Sequence, residues 1–191
     1  MAKIDKETLE TYFDKGVDIA NRRVFLIGDI DGESVGNIIK ALYLIEADSD
    51  VEPCELFINS PGGSITDALA LYDVINTMCC PVHTFAVGMC MSAAPLLLAC
   101  GEKGHRWVGE NCMFMTHEGS DDLEGKFSDL RAAVTFNLSL DKVWLKLVSE
   151  HTGQTMKFWQ AKSTKNHDFY FGAQEAIEWG LADSIWNEKA A

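Results

Sequence analysis

Positive charge is what this sequence has least of. Across 191 residues there are 16 Lys and Arg against 29 Asp and Glu, a formal charge of −13. No Lys/Arg cluster offsets that balance, and a phosphate backbone would be repelled, so a nucleic-acid partner is excluded. The six cysteines (54, 79, 80, 90, 100 and 112) form no CxxC pair, and no histidine is spaced beside them as in a zinc site. They read as free, buried thiols of a reducing cytoplasm, with no metal. The start, MAKIDKETLETYFDKG, is polar and mixed in charge, which excludes a secretory signal. The longest apolar run, residues 85–100, falls short of the ~20 residues a membrane span requires and is interrupted by Gly88 and Pro95. No Gly-Lys-Ser/Thr follows the Gly62-Gly63 pair, which excludes a phosphate loop. These absences predict a soluble cytoplasmic protein without cofactor or membrane partner.

What is present is the composition of a globular domain: 47% hydrophobic and 24% charged residues. Strand-like and helix-like patterns alternate from residue 23. RVFLIGDI (23–30) precedes a helix with Val35, Ile38, Ile39, Leu42 and Ile45 on one face. ELFINS (55–60) precedes one with Ile65, Ala68, Leu69, Tyr72 and Ile75. VHTFAV (82–87) leads into a third helix that stops at Gly101. Three consecutive βα units predict an α/β fold with a parallel sheet and right-handed crossovers. Short strands follow at 105–108 and 112–116, then a long helix over about 123–150, which must protrude or lie along a partner. Short helices near 155–163 and 173–179 and a strand at 183–186 complete one domain.

Within the run FAVGMCMSAAPLLLAC (85–100) stands a single hydroxyl, Ser92. It is either a small packing residue or a nucleophile at a strand-to-helix joint, with Pro95 in the first helical turn. In the second reading the Ala93 N–H and the helix terminus face an oxyanion. INSPGGSIT (58–66) is either a plain turn or the source of a second donor, the Gly63 N–H. A serine nucleophile needs a base and an orienting acid. His117, closing the apolar CMFMT (112–116), is the candidate base; His83 lies inside a strand, and His105, His151 and His167 have the polar flanks of surface histidines. Asp168, in KNHDFYFGAQEA, is either the acid or a cap before an aromatic-rich turn.

SPGGSIT at 60–66, GxxxSAA at 88–94, KGHRW at 103–107, a His closing a hydrophobic strand, HTGQ at 151–154 and D-x-x-x-x-A-x-E-A-x-x-x-GL-x-D at 168–183 together resemble the ClpP protease family. The motifs occur in the family's order and spacing over residues 23–186. The resemblance implies the ClpP/crotonase-like superfold of repeated β-β-α/β-α units, with 1–22 as an N-terminal segment, 23–191 as one peptidase domain and 123–150 as its handle helix. It implies a Ser92-His117-Asp168 triad, an oxyanion hole from the Gly63 and Ala93 N–H groups, and degradation of unfolded polypeptide. It further implies self-association into stacked seven-membered rings, an ATP-driven unfoldase of the ClpX, ClpA or ClpC type, and apolar side chains beside the scissile bond.

Three departures mark a divergent member, of a kind that a phage would encode. Glu118-Gly119 stands where the family usually has Gln-Pro, and Asn166-His167-Asp168-Phe169 lacks the usual Arg. Residues 1–22 do not resemble the axial-loop segment. Two alternatives have other functions: a crotonase-type acyl-CoA enzyme, which has no need of this triad, and a non-catalytic regulatory ring subunit, which typically loses part of it.

Overall fold

The alternating pattern from residue 23 builds the centre of the molecule. In the computed structural model, residues 16–120, 122–163 and 167–187 are described. Strands β1 (Val17–Asp18), β2 (Arg23–Ile27), β3 (Cys54–Ser60), β4 (Val82–Met91), β5 (Arg106–Val108), β6 (Met113–Thr116), β7 (Phe169–Gly172) and β8 (Ser184–Ile185) form one sheet. Its main path runs β1-β2-β3-β4-β5-β8, parallel throughout except for β1. Of the N-terminal segment expected over 1–22, residues 1–15 lie outside the described residues; the remainder forms β1 and a short 3-10 turn at Ile19–Asn21.

Helices α1 (Gly32–Asp48), α2 (Ile65–Thr77) and α3 (Ala94–Ala99) follow β2, β3 and β4 as the periodicity predicts. Asp31 caps α1 through a capping box with Ser34, and Ser64 caps α2 by accepting the Asp67 N–H. Their apolar stripes, including Val35, Ile38, Leu42, Ala68 and Leu71, are buried against strand residues such as Leu26, Leu56 and Ile58. Among the described residues no helix is long and apolar enough to cross a membrane.

Strand β4 has two halves with different neighbours. Residues 84–86 pair with β5, and residues 89–91 pair with β6. An irregularity in the β3–β4 register separates the halves: Ile58 faces Ala86, but Ser60 faces Cys90. Gly88 absorbs the extra length at φ +68, where Asn59 Oδ1 accepts the Met89 N–H. The strand expected to stop at residue 87 therefore continues to Met91, and the chain turns only at Ser92.

Helix α4 (Phe127–Thr152) is the expected long helix, starting four residues later and ending two later than 123–150. Its C-terminal half buries Trp144 and Val148, while Phe127, Val134, Phe136 and Leu138 remain exposed. Helices α5 (Met156–Ser163) and α6 (Ala173–Glu178) complete the order. The aromatic-rich turn expected after Asp168 is instead β7, antiparallel to β6. Phe171 stacks on Phe114 in the core, Tyr170 faces out, and Lys162 Nζ lies 4.3 Å from the ring centres of both Phe169 and Trp179.

Two readings of polar residues are corrected by burial. His151, taken as a surface histidine, is half-buried and its Nε2 lies 2.9 Å from the Tyr72 hydroxyl. Burial and the nearby Arg106 charge push its pKa down, so the neutral ring is favoured. His105, also read as a surface residue, stacks on His83 at 4.2 Å. Cys79 is the exposed exception among the six free thiols. Burial pushes Cys54, Cys100 and Cys112 up to about 12, which leaves them unreactive at neutral pH.

Candidate active site

Strand register brings the site together. Parallel pairing of Met91 with Met115, continued by the bond from the Ser92 N–H to the Met115 carbonyl at 2.8 Å, places Ser92 beside the end of β6. His117 is the second residue after Met115. Antiparallel pairing of Thr116 with Phe169 then sets Asp168, one residue earlier, opposite His117. Residues 25 and 51 positions apart in sequence from His117 thus meet at one end of three strands.

Ser92 Oγ lies 2.7 Å from His117 Nε2, a short hydrogen bond. His117 Nδ1 lies 3.9 Å from Asp168 Oδ1, which is contact distance for an ion pair but longer than a hydrogen bond. The other Asp168 oxygen accepts from the Tyr170 hydroxyl at 3.2 Å, and that bond pushes the Tyr170 pKa up. Ser92 itself has φ +58, a left-handed conformation uncommon outside glycine.

The loop 60–64 crosses directly over this serine. Gly62 has φ +100, and a Cβ built there would lie 2.5 Å from Ser92 Cβ and 2.7 Å from the Met91 carbonyl oxygen. Only glycine fits. The loop is pinned by the Gly62 N–H donating to the buried Ser60 Oγ at 3.0 Å and by an Ile30–Gly63 bridge. Among the described residues no hydrogen bond takes up the N–H of Gly63 or of Ala93. Both residues, with Ser92 and His117, line a groove of about 830 Å³ that runs along α4.

Sequence reading did not single out Asp141 and Trp144, which line this groove from α4. Their signal was the i, i+3 spacing on an otherwise solvated helix. Burial pushes the Asp141 carboxyl up, the Glu118 charge adds to that, and the Gly119 N–H and His117 act against it. Away from the groove, His83, Glu102 and His105 offer three metal-type donor atoms within 4.8 Å of one another. The two imidazoles are parallel to within 3°, so their in-plane lone pairs run side by side and do not converge on one ion.

Comparison with known proteins agrees with the geometry. The family model described as Clp protease matches residues 10–189. The chain is similar to ATP-dependent Clp protease proteolytic subunit 4 of Rhodococcus jostii, 36% identical over 92% of this chain and 90% of that one. It is similar to subunit 2 of Thermobifida fusca, 34% identical over 87% and 81% of the two chains. Subunit 1 of Rhodopirellula baltica is 35% identical over 87% and 73%. A sheet that brings a serine, a histidine and an aspartate together at neighbouring strand ends, and a match over nearly the whole length, lead to one conclusion: the chain belongs to the Clp protease family.

Proposed function

We propose that this chain is a serine endopeptidase of unfolded polypeptides, with Ser92 as nucleophile, His117 as general base and Asp168 as the acid that orients it. The observation that carries the reading is the 2.7 Å contact of Ser92 Oγ with His117 Nε2. Ser92 Oγ bonds to the scissile carbonyl carbon while its proton passes to His117 Nε2. The negative charge that develops on the carbonyl oxygen is held by the Gly63 and Ala93 N–H groups, with the positive end of the peptide dipoles of α3 behind them. Collapse of the tetrahedral intermediate expels the amine, which takes the proton from His117 and leaves an ester on Ser92. Water, deprotonated by His117, attacks that ester; collapse of the second tetrahedral intermediate breaks the bond to Ser92 Oγ, which takes the proton back from His117 as the carboxylate product leaves. At 3.9 Å, Asp168 Oδ1 is about 1 Å beyond hydrogen-bond length from His117 Nδ1, and catalytic contacts of this kind tighten when substrate binds.

Assembly belongs to the same proposal. The relatives named above are subunits of ATP-dependent proteases, and α4 leaves Phe127 85% and Phe136 56% exposed, surface that suits burial against further copies. The reading is therefore stacked seven-membered rings in the cytoplasm, fed by an ATP-driven unfoldase. A fluorophosphonate probe followed by peptide mapping and native mass tests both parts. A single adduct on Ser92 in a multi-subunit particle is expected. An unlabelled Ser92 overturns the chemistry, and a monomer overturns the assembly.

A further inference from the structure

The groove beside Ser92 is not uniformly apolar. Along α4 its wall is Leu140, Trp144 and Leu145, and set into that wall is the half-buried Asp141, with Glu118 from the loop after His117 close to it. Among the described residues the charged side chains lining the groove are Asp29, Glu118, Asp141 and Lys142, three acids to one base. Two carboxylates that line one groove, one of them half-buried, repel, and a cation bound beside them relieves the repulsion and the burial cost of Asp141. Trp144 adds an independent observation. It is 8% exposed, lines the same groove, and its indole Nε1–H is buried without a hydrogen-bond partner among the described residues. A buried donor in a groove wall is completed by an acceptor that arrives with the ligand.

We propose that Asp141 and Glu118 make this groove selective for a polypeptide substrate with Lys or Arg beside the scissile bond. The aliphatic stem of such a side chain lies along Leu140 and Leu145, and the cationic head reaches the two carboxylates; Trp144 offers its ring to the stem and its N–H to a substrate carbonyl. A substrate Asp or Glu at the same place meets like charge and is rejected. The family resemblance implied an apolar preference. Here the apolar wall remains and an acidic end is added. The acids are specificity-determining residues, distinct in role from the Ser92–His117 pair.

The inference rests on the peptidase reading, and its test separates the two. Three fluorogenic peptides identical except for Lys, Leu or Glu before the scissile bond are compared by kcat/KM. The wild-type order Lys above Leu above Glu is expected. In Asp141→Asn the Lys/Leu ratio falls by about 10-fold, the loss expected for one charged hydrogen bond. Glu118→Gln, at an exposed position that tolerates substitution, lowers the ratio by about 3-fold and serves if the first variant does not fold. A Lys/Leu ratio unchanged in both variants, with fluorophosphonate labelling of Ser92 intact, overturns the acidic-groove proposal and leaves the peptidase reading standing. A protein that neither labels at Ser92 nor cleaves any of the three peptides overturns both.

Discussion

Asp183→Asn tests whether one buried guanidinium holds the helices beside the Ser92 groove in place. Arg106 is 3% exposed. Its Nε and Nη2 donate to the two oxygens of Asp183 at 3.0 and 2.6 Å, and its Nη1 donates to the carbonyls of Ala99 and His151 at 3.1 and 3.3 Å. It thus ties the last residue of α3, which begins beside Ser92, to the last turn of α4, which walls the groove. Asp183 Oδ2 also accepts the Gly104 and Arg106 N–H groups. Removing one partner of a buried pair costs 3–5 kcal/mol at full burial; with the Asp183 side chain 22% exposed, about 3 kcal/mol is the appropriate figure. For a chain of this length that is a fall in Tm of about 6–12 °C.

The pH dependence of that loss has a defined sign. Burial alone would raise the Asp183 pKa, but the hydrogen bonds and charge of Arg106, with the two backbone N–H groups, bring it below the ordinary 3.8. Its folded-state pKa is therefore depressed. The stabilisation is complete above the unfolded-state value of about 3.9 and is lost as pH falls through the lower folded value. Urea denaturation of both proteins at fixed concentration, followed by tryptophan fluorescence, should show the full gap at pH 7. The gap should close progressively below about pH 4. A gap under about 1 kcal/mol at neutral pH, or one that widens on acidification, refutes the reasoning.

Substitutions at two other positions probe the backbone around Ser92. Gly62→Ala forces a Cβ to 2.5 Å from Ser92 Cβ at φ +100, so the loop must move; a loss of about 2 kcal/mol and at least a 10-fold slower fluorophosphonate reaction are expected. Ser92→Gly and Ser92→Ala both remove the hydroxyl, but only glycine accepts φ +58 without strain. The glycine variant should be the more stable by about 0.5–1 kcal/mol in urea, after allowance for its more flexible unfolded chain. A less stable glycine variant would show that the left-handed turn carries no strain.

The three βα units were legible because apolar spacing of 3.6 in 35–45 and 65–75 and short β-branched runs before them are imposed by burial on the same sheet. The long helix was legible for the same reason, although Leu123 to Gly125, read into it, precede its N-cap Lys126, whose carbonyl accepts the Leu130 N–H. What local pattern could not give is register. FYF at 169–171 alternates out and in as a strand does, yet three residues before a helix read equally well as a turn; pairing with β6 decides it. The left-handed φ of Ser92 was hidden because the strand was expected to end at residue 87, before the Gly88 irregularity. His105 and His151 have polar neighbours in sequence but aromatic ones in space, His83 and Tyr72. Asp141 drew no notice in the sequence, since nothing local to α4 shows that the loop after His117 lies against it.

The most direct test of the account is degradation of a permanently unfolded polypeptide by the wild-type protein and by Ser92→Ala, measured side by side at equal concentration. Wild-type protein should generate peptides, and the variant should be slower by about three orders of magnitude or more, since a serine nucleophile has no substitute in this mechanism. Equal rates of peptide release from the two proteins would contradict the assignment of Ser92.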